Sequence, residues 1–436
     1  MSFIKLSDRW NGDITIEGTV LAINRTISRM QPASQVKKIQ FQSSRKLNSI
    51  PQILICTGKN ALEYAYSVIE HSIDNFNKII VFQAKGYETV DQKQSSKLTL
   101  YMVDHPIPRV DNIEYSEKFV SYLKNLDEPH LIHFIITGGT SSCLSLPESN
   151  LKFSDYVAII KSSIAAGLNI FQLNEIRSTL DQLKAGKLSL LLKSHHLYTW
   201  IVSDVLTNEA KIVGSGPTIP GIVLTGKTKT ILESIISELE ISMDLNKLQV
   251  KLNDVSEFRH PNHHWSIILN NIDFSKILIN QLKHIIGPKI YFKLISTVVQ
   301  EDVLSFANTI YNYYLKLSQP TILIWMGELT NELNEEILNH GKGGRVSYFS
   351  FVISKLFKES SGVTIISFAT DGHDGTSPKS CYIINNSTYD QIIQIDNYDK
   401  IIENGNTGLI LDIIGHAFEM HQTNINLADV FILIKN

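Results

Sequence analysis

Apolar residues along this chain fall into two recurring patterns. Short, near-continuous apolar runs alternate with longer stretches in which apolar positions recur every three or four residues, which predicts buried strands followed by amphipathic helices. Runs at 52–56, 79–82, 98–103, 131–136 and 197–202 read as strands of a first series. Helical spacing follows the first of them through Ala61, Leu62, Ala65, Val68 and Ile69, and recurs at 115–126, across 167–192 and at 231–239. A second series places elements at 265–269, 290–299, 303–315, 321–325, 346–357, 363–368 and 430–434. This alternation predicts an α/β fold whose first part is a doubly wound, mostly parallel sheet. The charged, weakly patterned stretch 243–260 reads as a linker. It divides the chain into a domain over 1–243 and a smaller α/β domain over 244–436, with the last segment placed to pack back on the first domain. Residues 1–50 are mixed, and the polar tract 28–49 reads as helix and loop with no assigned function.

Composition narrows the picture. At 436 residues the chain exceeds one ordinary core, and 43% hydrophobic with 19% charged residues describes a globular protein with ample material to bury. A formal net charge of −3 leaves no basic footprint for nucleic acid. No apolar run approaches membrane-spanning length and the N-terminus lacks a signal-peptide pattern, so no membrane partner is expected. Cys56, Cys143 and Cys381 are few, odd in number and far apart, which excludes a disulfide framework and suits a reducing compartment. A cytoplasmic protein is expected, and a homodimer is compatible with these numbers.

Chemistry concentrates where the strands end. Gly341-Lys342-Gly343-Gly344-Arg345 precedes the helical run 346–357; glycines beside two cations at a helix start suggest a phosphate site. Thr370-Asp371-Gly372-His373-Asp374-Gly375 follows a strand and offers two carboxylates to Mg²⁺ or to a hydroxyl proton. Thr57-Gly58-Lys59-Asn60 ends the first strand, in the geometry where α/β sheets bind ligands. Thr137-Gly138-Gly139-Thr140-Ser141-Ser142 has the composition of an anion nest. Ser203-Asp204 and Gly214-Ser215-Gly216-Pro217-Thr218 follow the fifth strand, and Glu328 follows 321–325. Asn174, Arg177, Lys184 and Lys187 recur at helical spacing, as on a solvated face. His105, in His105-Pro106-Ile107-Pro108, reads as a turn residue rather than a catalyst. Gly221 to Thr228 fits the Walker A pattern letter by letter, but Pro217 and Pro220 stand where its strand should be and its interior is bulky. His260, His263 and His264 match no closed zinc ligand set.

Taken in order, these motifs resemble those of the glycerate 2-kinase family. Cys56-Thr57-Gly58-Lys59 stands at its glycine-rich turn ending in lysine, His105 to Pro108 at its HPxP turn, and Thr137 to Ser141 at its SGGGS loop. Asn174 with Arg177 and Lys184-Ala185-Gly186-Lys187 are similar to its NxVR and KGGR elements. Ser203-Asp204-Val205, Ser215 to Thr218, Gly327-Glu328-Leu329-Thr330, Gly343-Gly344-Arg345, Thr370 to Gly375 and Thr423-Asn424 complete the series. Cys56, Thr137, Thr140, Ala185 and Lys187 depart from the pattern, and 425–429 looks longer than usual, so the chain reads as a divergent member.

The resemblance implies a Rossmann-like N-terminal domain, a smaller C-terminal domain and a site in the cleft between them. It implies transfer of the γ-phosphoryl of ATP to the 2-hydroxyl of D-glycerate with Mg²⁺. Lys59, Arg345, Asp204 and Asp371 are the implied catalytic residues. Gly58, Gly138, Gly139, Thr140, Ser141, Asn174, Arg177, Lys184, Ser215, Gly216, Pro217, Thr218, Gly343, Gly344 and Asn424 are the implied phosphate and substrate contacts. Glu328, Asp371 and Asp374 are the implied metal ligands, although the sequence does not divide base from metal ligand among the acids. Three rivals stand beside this reading. A hydroxypyruvate reductase would need a G-x-G-x-x-G turn after a strand, which is absent. A P-loop nucleotidase rests on 221–228 alone, and a non-catalytic binder rests on the substituted glycines.

Overall fold

Six strands that carry the first series of apolar runs form one parallel sheet: β1 (Gln52–Gly58), β2 (Lys78–Ala84), β3 (Leu98–Val103), β4 (Leu131–Ile136), β5 (His196–Val202) and β6 (His263–Leu269). Their order is β3-β2-β1-β4-β5-β6. Every residue of β1 and β4 is buried, as befits central strands covered on both faces by crossover helices. The order reverses between β1 and β4, so the connections leaving these two strands diverge and open a crevice at their carboxyl ends. The computed structural model describes residues 2–7, 10, 12–39, 41, 50–87, 95–330 and 341–436; most of 40–49, including the end of the polar tract, lies outside them.

The chain divides into two compact units, Pro32–Leu269, and Met1–Gln31 with Asn270–Asn436. The boundary therefore falls at 269/270 rather than at 243/244, because β6 pairs with β5 and completes the first sheet. The stretch read as a linker is instead the helix Leu245–Glu257 of this parallel-sheet unit. Asp244 caps it by accepting from the Lys247 amide, and Leu245, Leu252 and Val255 are buried. That apolar stripe is narrow and the remaining positions are mostly polar, which is why the segment lacks an obvious period. The helical region 167–192 is broken into Ile170–Leu180 and Lys187–Leu191 by Ala185 and Gly186, both with positive φ.

The second unit is built on a mixed sheet of β7 (Tyr291–Val299), β8 (Thr321–Gly327), β9 (Val363–Ala369), β10 (Cys381–Asn385), β11 (Ala417–Phe418) and β12 (Asp429–Lys435). Its order is β11-β10-β9-β12-β8-β7; only β7 and β8 pair in parallel. The helix Ile14–Met30 belongs to this unit, although the sequence suggests nothing so definite there. Ile16, Val20, Ile23, Ile27 and Met30 form its buried stripe. At Gly18 a side chain would press on Ile286 of the helix Asn271–Ile286, so the missing Cβ is what lets the two helices approach. Among the described residues no helix is long and apolar enough to cross a membrane.

Candidate functional site

The crevice of the parallel sheet is assembled by backbone. Gly58 ends β1 at φ +117°, and a Cβ there would collide with Thr137 and the Gly138 carbonyl. Only glycine lets the two strand-end loops meet. The Lys59 amide then donates to Gly138 O at 2.8 Å, and the Thr137 and Thr140 hydroxyls donate to Thr57 O at 3.0 and 2.9 Å. Gln83, at the end of β2, accepts from the Leu62 amide and donates to Lys59 O at 2.6 Å, fixing the start of the helix Ala61–Ser72. The amides of Gly138 and Gly139 donate to no group among the described residues. Asp204, after β5, brings its carboxylate against the Gly138 Cα, where a Cβ would strike it.

Around Gly139 three polar side chains converge. A Cβ on this residue, whose φ is +86°, would lie 3.0–3.1 Å from His105 Cδ2, His105 Nε2 and Lys59 Cγ. Lys59 Nζ stands 5.1 Å over the Tyr87 ring, and the His105 ring centroid is 6.0 Å from that of Tyr87. His105 is placed by buried Asn112, which donates to Asp104 O at 2.9 Å and Ser142 O at 2.8 Å, tying the proline turn to the β4 loop. Burial, then the positive charges of Lys59 and Arg177, lower the His105 pKa to about 4, so its imidazole is neutral at physiological pH. Arg177 extends from the helix that carries Asn174. Asn174 is buried, donates to Ile212 O and accepts from the Ser215 hydroxyl at 2.7 Å, and Ser215 meets Ser141 at 2.9 Å. The i, i+3 spacing puts Asn174 and Arg177 on one helix face, one anchoring the helix and the other near enough for its charge to act on His105. Among the described residues the Arg177 guanidinium makes no hydrogen bond or ion pair, and burial lowers its pKa.

Other expected contacts are scaffold. Lys184 is fully buried, paired with Asp181 at 3.1 Å and donating to Leu144 O at 2.9 Å, so no donor faces a ligand. Lys187 is likewise enclosed by Glu148, Ser178 O and Asp181 O. Ser215, Gly216 and Pro217 accept from the amides of Ala185, Gly186 and Leu188 through their carbonyls, and the Thr218 hydroxyl accepts from Thr199. The loop 214–218 thus clamps the 184–188 turn, with the Ser215 hydroxyl meeting the nest through Ser141.

In the mixed-sheet unit the glycine–cation stretch has a different use. The helix Arg345–Phe357 begins there, but its first amides are already occupied. Asp374 Oδ1 accepts from Val346 N and Oδ2 from Ser347 N, both at 2.9 Å, and Tyr382 donates to Oδ2 at 3.0 Å. The chain's own carboxylate fills the anion position that the sequence assigns to a phosphate. The glycines serve close packing: a Cβ on Gly343 would meet the Gly405 carbonyl at 2.6 Å, and one on Gly344 would collide with Asp374. Asp374, 2% exposed with both oxygens engaged, is a helix cap rather than a metal ligand. Arg345 spans two acids, with Nε donating to Asp429 at 2.6 Å and Nη2 to Glu328 at 2.9 Å. Burial raises the Asp429 pKa to about 7 against the pull of Arg345, with Glu328 and Asp374 adding negative charge. Asp371 accepts from the His373 amide in its own turn and stays partly exposed. Asn424 has φ +53° and a buried Oδ1 without a hydrogen-bond partner among the described residues. Its neighbour Thr423 donates its hydroxyl to Thr370 O and its amide to Asp371 O.

Residues 20–248 match the family model described as "Domain of unknown function (DUF4147)", more than half of the chain. The chain belongs to the DUF4147 family. Residues 321–429 of this DUF4147 chain match the MOFRL family, and the two domains in this order are the glycerate kinase architecture. It is similar to the glycerate 2-kinase of Picrophilus torridus, 28% identical over 415 residues and 94% of each chain. It is also similar to the glycerate 2-kinase of Pyrococcus horikoshii, 24% identical over 87% of this chain and 86% of that one. Its fold is that of the crystal structure of glycerate kinase from Thermotoga maritima, with a TM-score of 0.80 at 20% identity, covering 96% of this chain and 99% of the other.

Sequence reasoning passes over His105, Tyr87 and Asp429. The first is read as a turn residue because of its prolines, the second has no motif, and the third stands at the edge of the last apolar run, where no motif marks it. The Walker-like stretch of the DUF4147 domain is coil up to the helix Gly226–Glu238, with no strand before it, and Lys227 is exposed at the helix start. The neighbouring histidines are engaged singly: His263 Nε2 meets the Thr199 hydroxyl at 2.9 Å, His260 Nε2 meets Leu192 O at 3.0 Å, and His264 stacks on Tyr198.

Proposed function

We propose that this chain transfers the γ-phosphoryl group of ATP to the 2-hydroxyl of D-glycerate, giving 2-phosphoglycerate and ADP. The observation that carries the reading is the crevice at Gly139, where the Lys59 and His105 side chains close on the Gly138 and Gly139 amides, which donate to no group among the described residues. Phosphoryl transfer needs positioning and neutralisation of oxygen charge rather than a covalent enzyme intermediate. The 2-hydroxyl oxygen bonds to the γ-phosphorus as the bond to the β–γ bridging oxygen breaks. The electron pair leaves with ADP and the hydroxyl proton passes to a carboxylate. Asp204, against Gly138, is the acid best placed in this unit to take it. The Arg177 fork suits the glycerate carboxylate, and Lys59 suits a phosphate oxygen. Lys184, Gly216, Pro217 and Thr218 support the site from behind.

Mg²⁺ would neutralise the β- and γ-oxygens of ATP. Within the mixed-sheet unit taken by itself, half-exposed Glu328 and Asp371, which retains lone pairs, are acids whose chemistry would suit such an ion, and Asp374 is not. Release of ADP, coupled to NADH oxidation and measured with and without D-glycerate, tests the reading. ADP formation that depends on D-glycerate is expected, and ATP hydrolysis indifferent to D-glycerate would count against it.

A further inference from the structure

His105 is left without an assignment by this chemistry. Neither of its ring nitrogens makes a hydrogen bond among the described residues, although the ring is half-buried and held on a braced turn. Its Nε2 edge faces Gly139 on the side where Lys59 passes. A half-buried imidazole left unpaired among the described residues is arranged for something that enters the crevice.

We propose that neutral His105 is a specificity-determining residue that accepts a hydrogen bond from a hydroxyl of the acceptor acid through Nε2. Nearby positive charge favours the tautomer whose lone pair faces it, and the cations here are Lys59 and Arg177. A lone pair in that position repels a carboxylate or phosphate oxygen, which has no proton to share, and welcomes an O–H. Two cations therefore hold the anionic end of the substrate while the imidazole selects for a hydroxyl beside it. A keto acid of the same size, lacking that donor, would leave Nε2 unpaired. The crevice supports this neutral state: the charged groups acting on the ring are both cationic, and burial disfavours a third positive charge.

This inference rests on the proposed glycerate reaction, and its test separates the two. Wild type, H105F and H105Q are compared for kcat/KM with D-glycerate at saturating ATP, with Tm recorded for each. H105F fills the same volume without an acceptor; H105Q restores one. The expected result is a loss of about tenfold to a hundredfold in H105F, partial recovery in H105Q, and an unchanged KM for ATP. The ratio of wild type to H105F should stay constant from pH 5.5 to 8, since the ring does not titrate there. H105F within threefold of wild type, or equal losses in both variants, would overturn the proposal while leaving the kinase reading intact. Should H105F not fold, the wild-type profile decides: a limb near pH 6.5 that H105Q removes would mean a charged imidazole. Absence of turnover by the wild type would instead sink the glycerate reading itself.

Discussion

Arg177 and Lys184 are cations of one polar segment, and what separates them is a partner. Lys184 lies in a closed network with Asp181, Ser145 and Leu144 O. Substituting it leaves a buried carboxylate without its counter-charge, so Lys184→Met is expected to destabilise the protein by about 3–5 kcal/mol in denaturant titration. Arg177 makes no hydrogen bond or ion pair among the described residues, and burial disfavours its charge against a weaker pull from Tyr156 and Asp181. Arg177→Met should lower kcat/KM by about a hundredfold while leaving stability within ~1 kcal/mol of wild type, and Lys59→Ala should do the same. Loss of both activity and Tm in Arg177→Met would make the guanidinium structural. From sequence both cations look alike, since helical spacing reports a face and not what the face meets. The resemblance separates neither, and only burial with hydrogen-bond geometry does.

At the scale of elements, the central strands and the helix starts at Ala61, Val303 and Arg345 were legible, and what occupies a helix start was not. Apolar runs mark β1, β4, β5, β8, β9 and β12 to within a few residues because central strands must be apolar on both faces. The glycine–cation stretch before Arg345–Phe357 misleads because a helix N-terminus attracts any anion, and a sequence does not show that Asp374 already supplies it. Asp374→Ala removes a charged cap from two backbone amides and should destabilise by about 2–4 kcal/mol. Lys342, exposed in the same stretch, should be silent on substitution. The helix Gly226–Glu238 carries the other false phosphate signal. Lys227→Ala is expected to keep kcat within about threefold of wild type, a change of under ~1 kcal/mol in barrier. A dead Lys227→Ala enzyme with active Lys59→Ala would reinstate the P-loop.

For the whole molecule, the two units carry opposite responses to acid. In the parallel-sheet unit, His105, His133 and His263 are held at about 4, 3 and 4, below the usual 6.5, chiefly by burial. A depressed histidine contributes stability that is present above pH 6.5 and is lost as pH falls through the folded value. In the mixed-sheet unit Asp429 is raised from 3.8 to about 7 and Asp374 is raised as well. The contribution of Asp429 is full below pH 4 and is lost as pH rises toward 7, and that of Asp374 changes in the same direction. Hydrogen exchange at pH 5.5 and 7.5, corrected for intrinsic rates, should therefore show protection falling on acidification in Pro32–Leu269 and holding or rising in Asn270–Asn436. Parallel losses in both units would contradict that assignment. Division of the chain was only partly legible, because a helix with a narrow stripe resembles a linker and an N-terminal helix gives no hint of the unit it joins. The most direct measurement of the central reading is ³¹P NMR of the product formed from ATP and D-glycerate. A 2-phosphoglycerate resonance appearing in step with ADP is the expected result; a 3-phosphoglycerate resonance, or no phosphorylated product while hydroxypyruvate drives NADH oxidation, would contradict it.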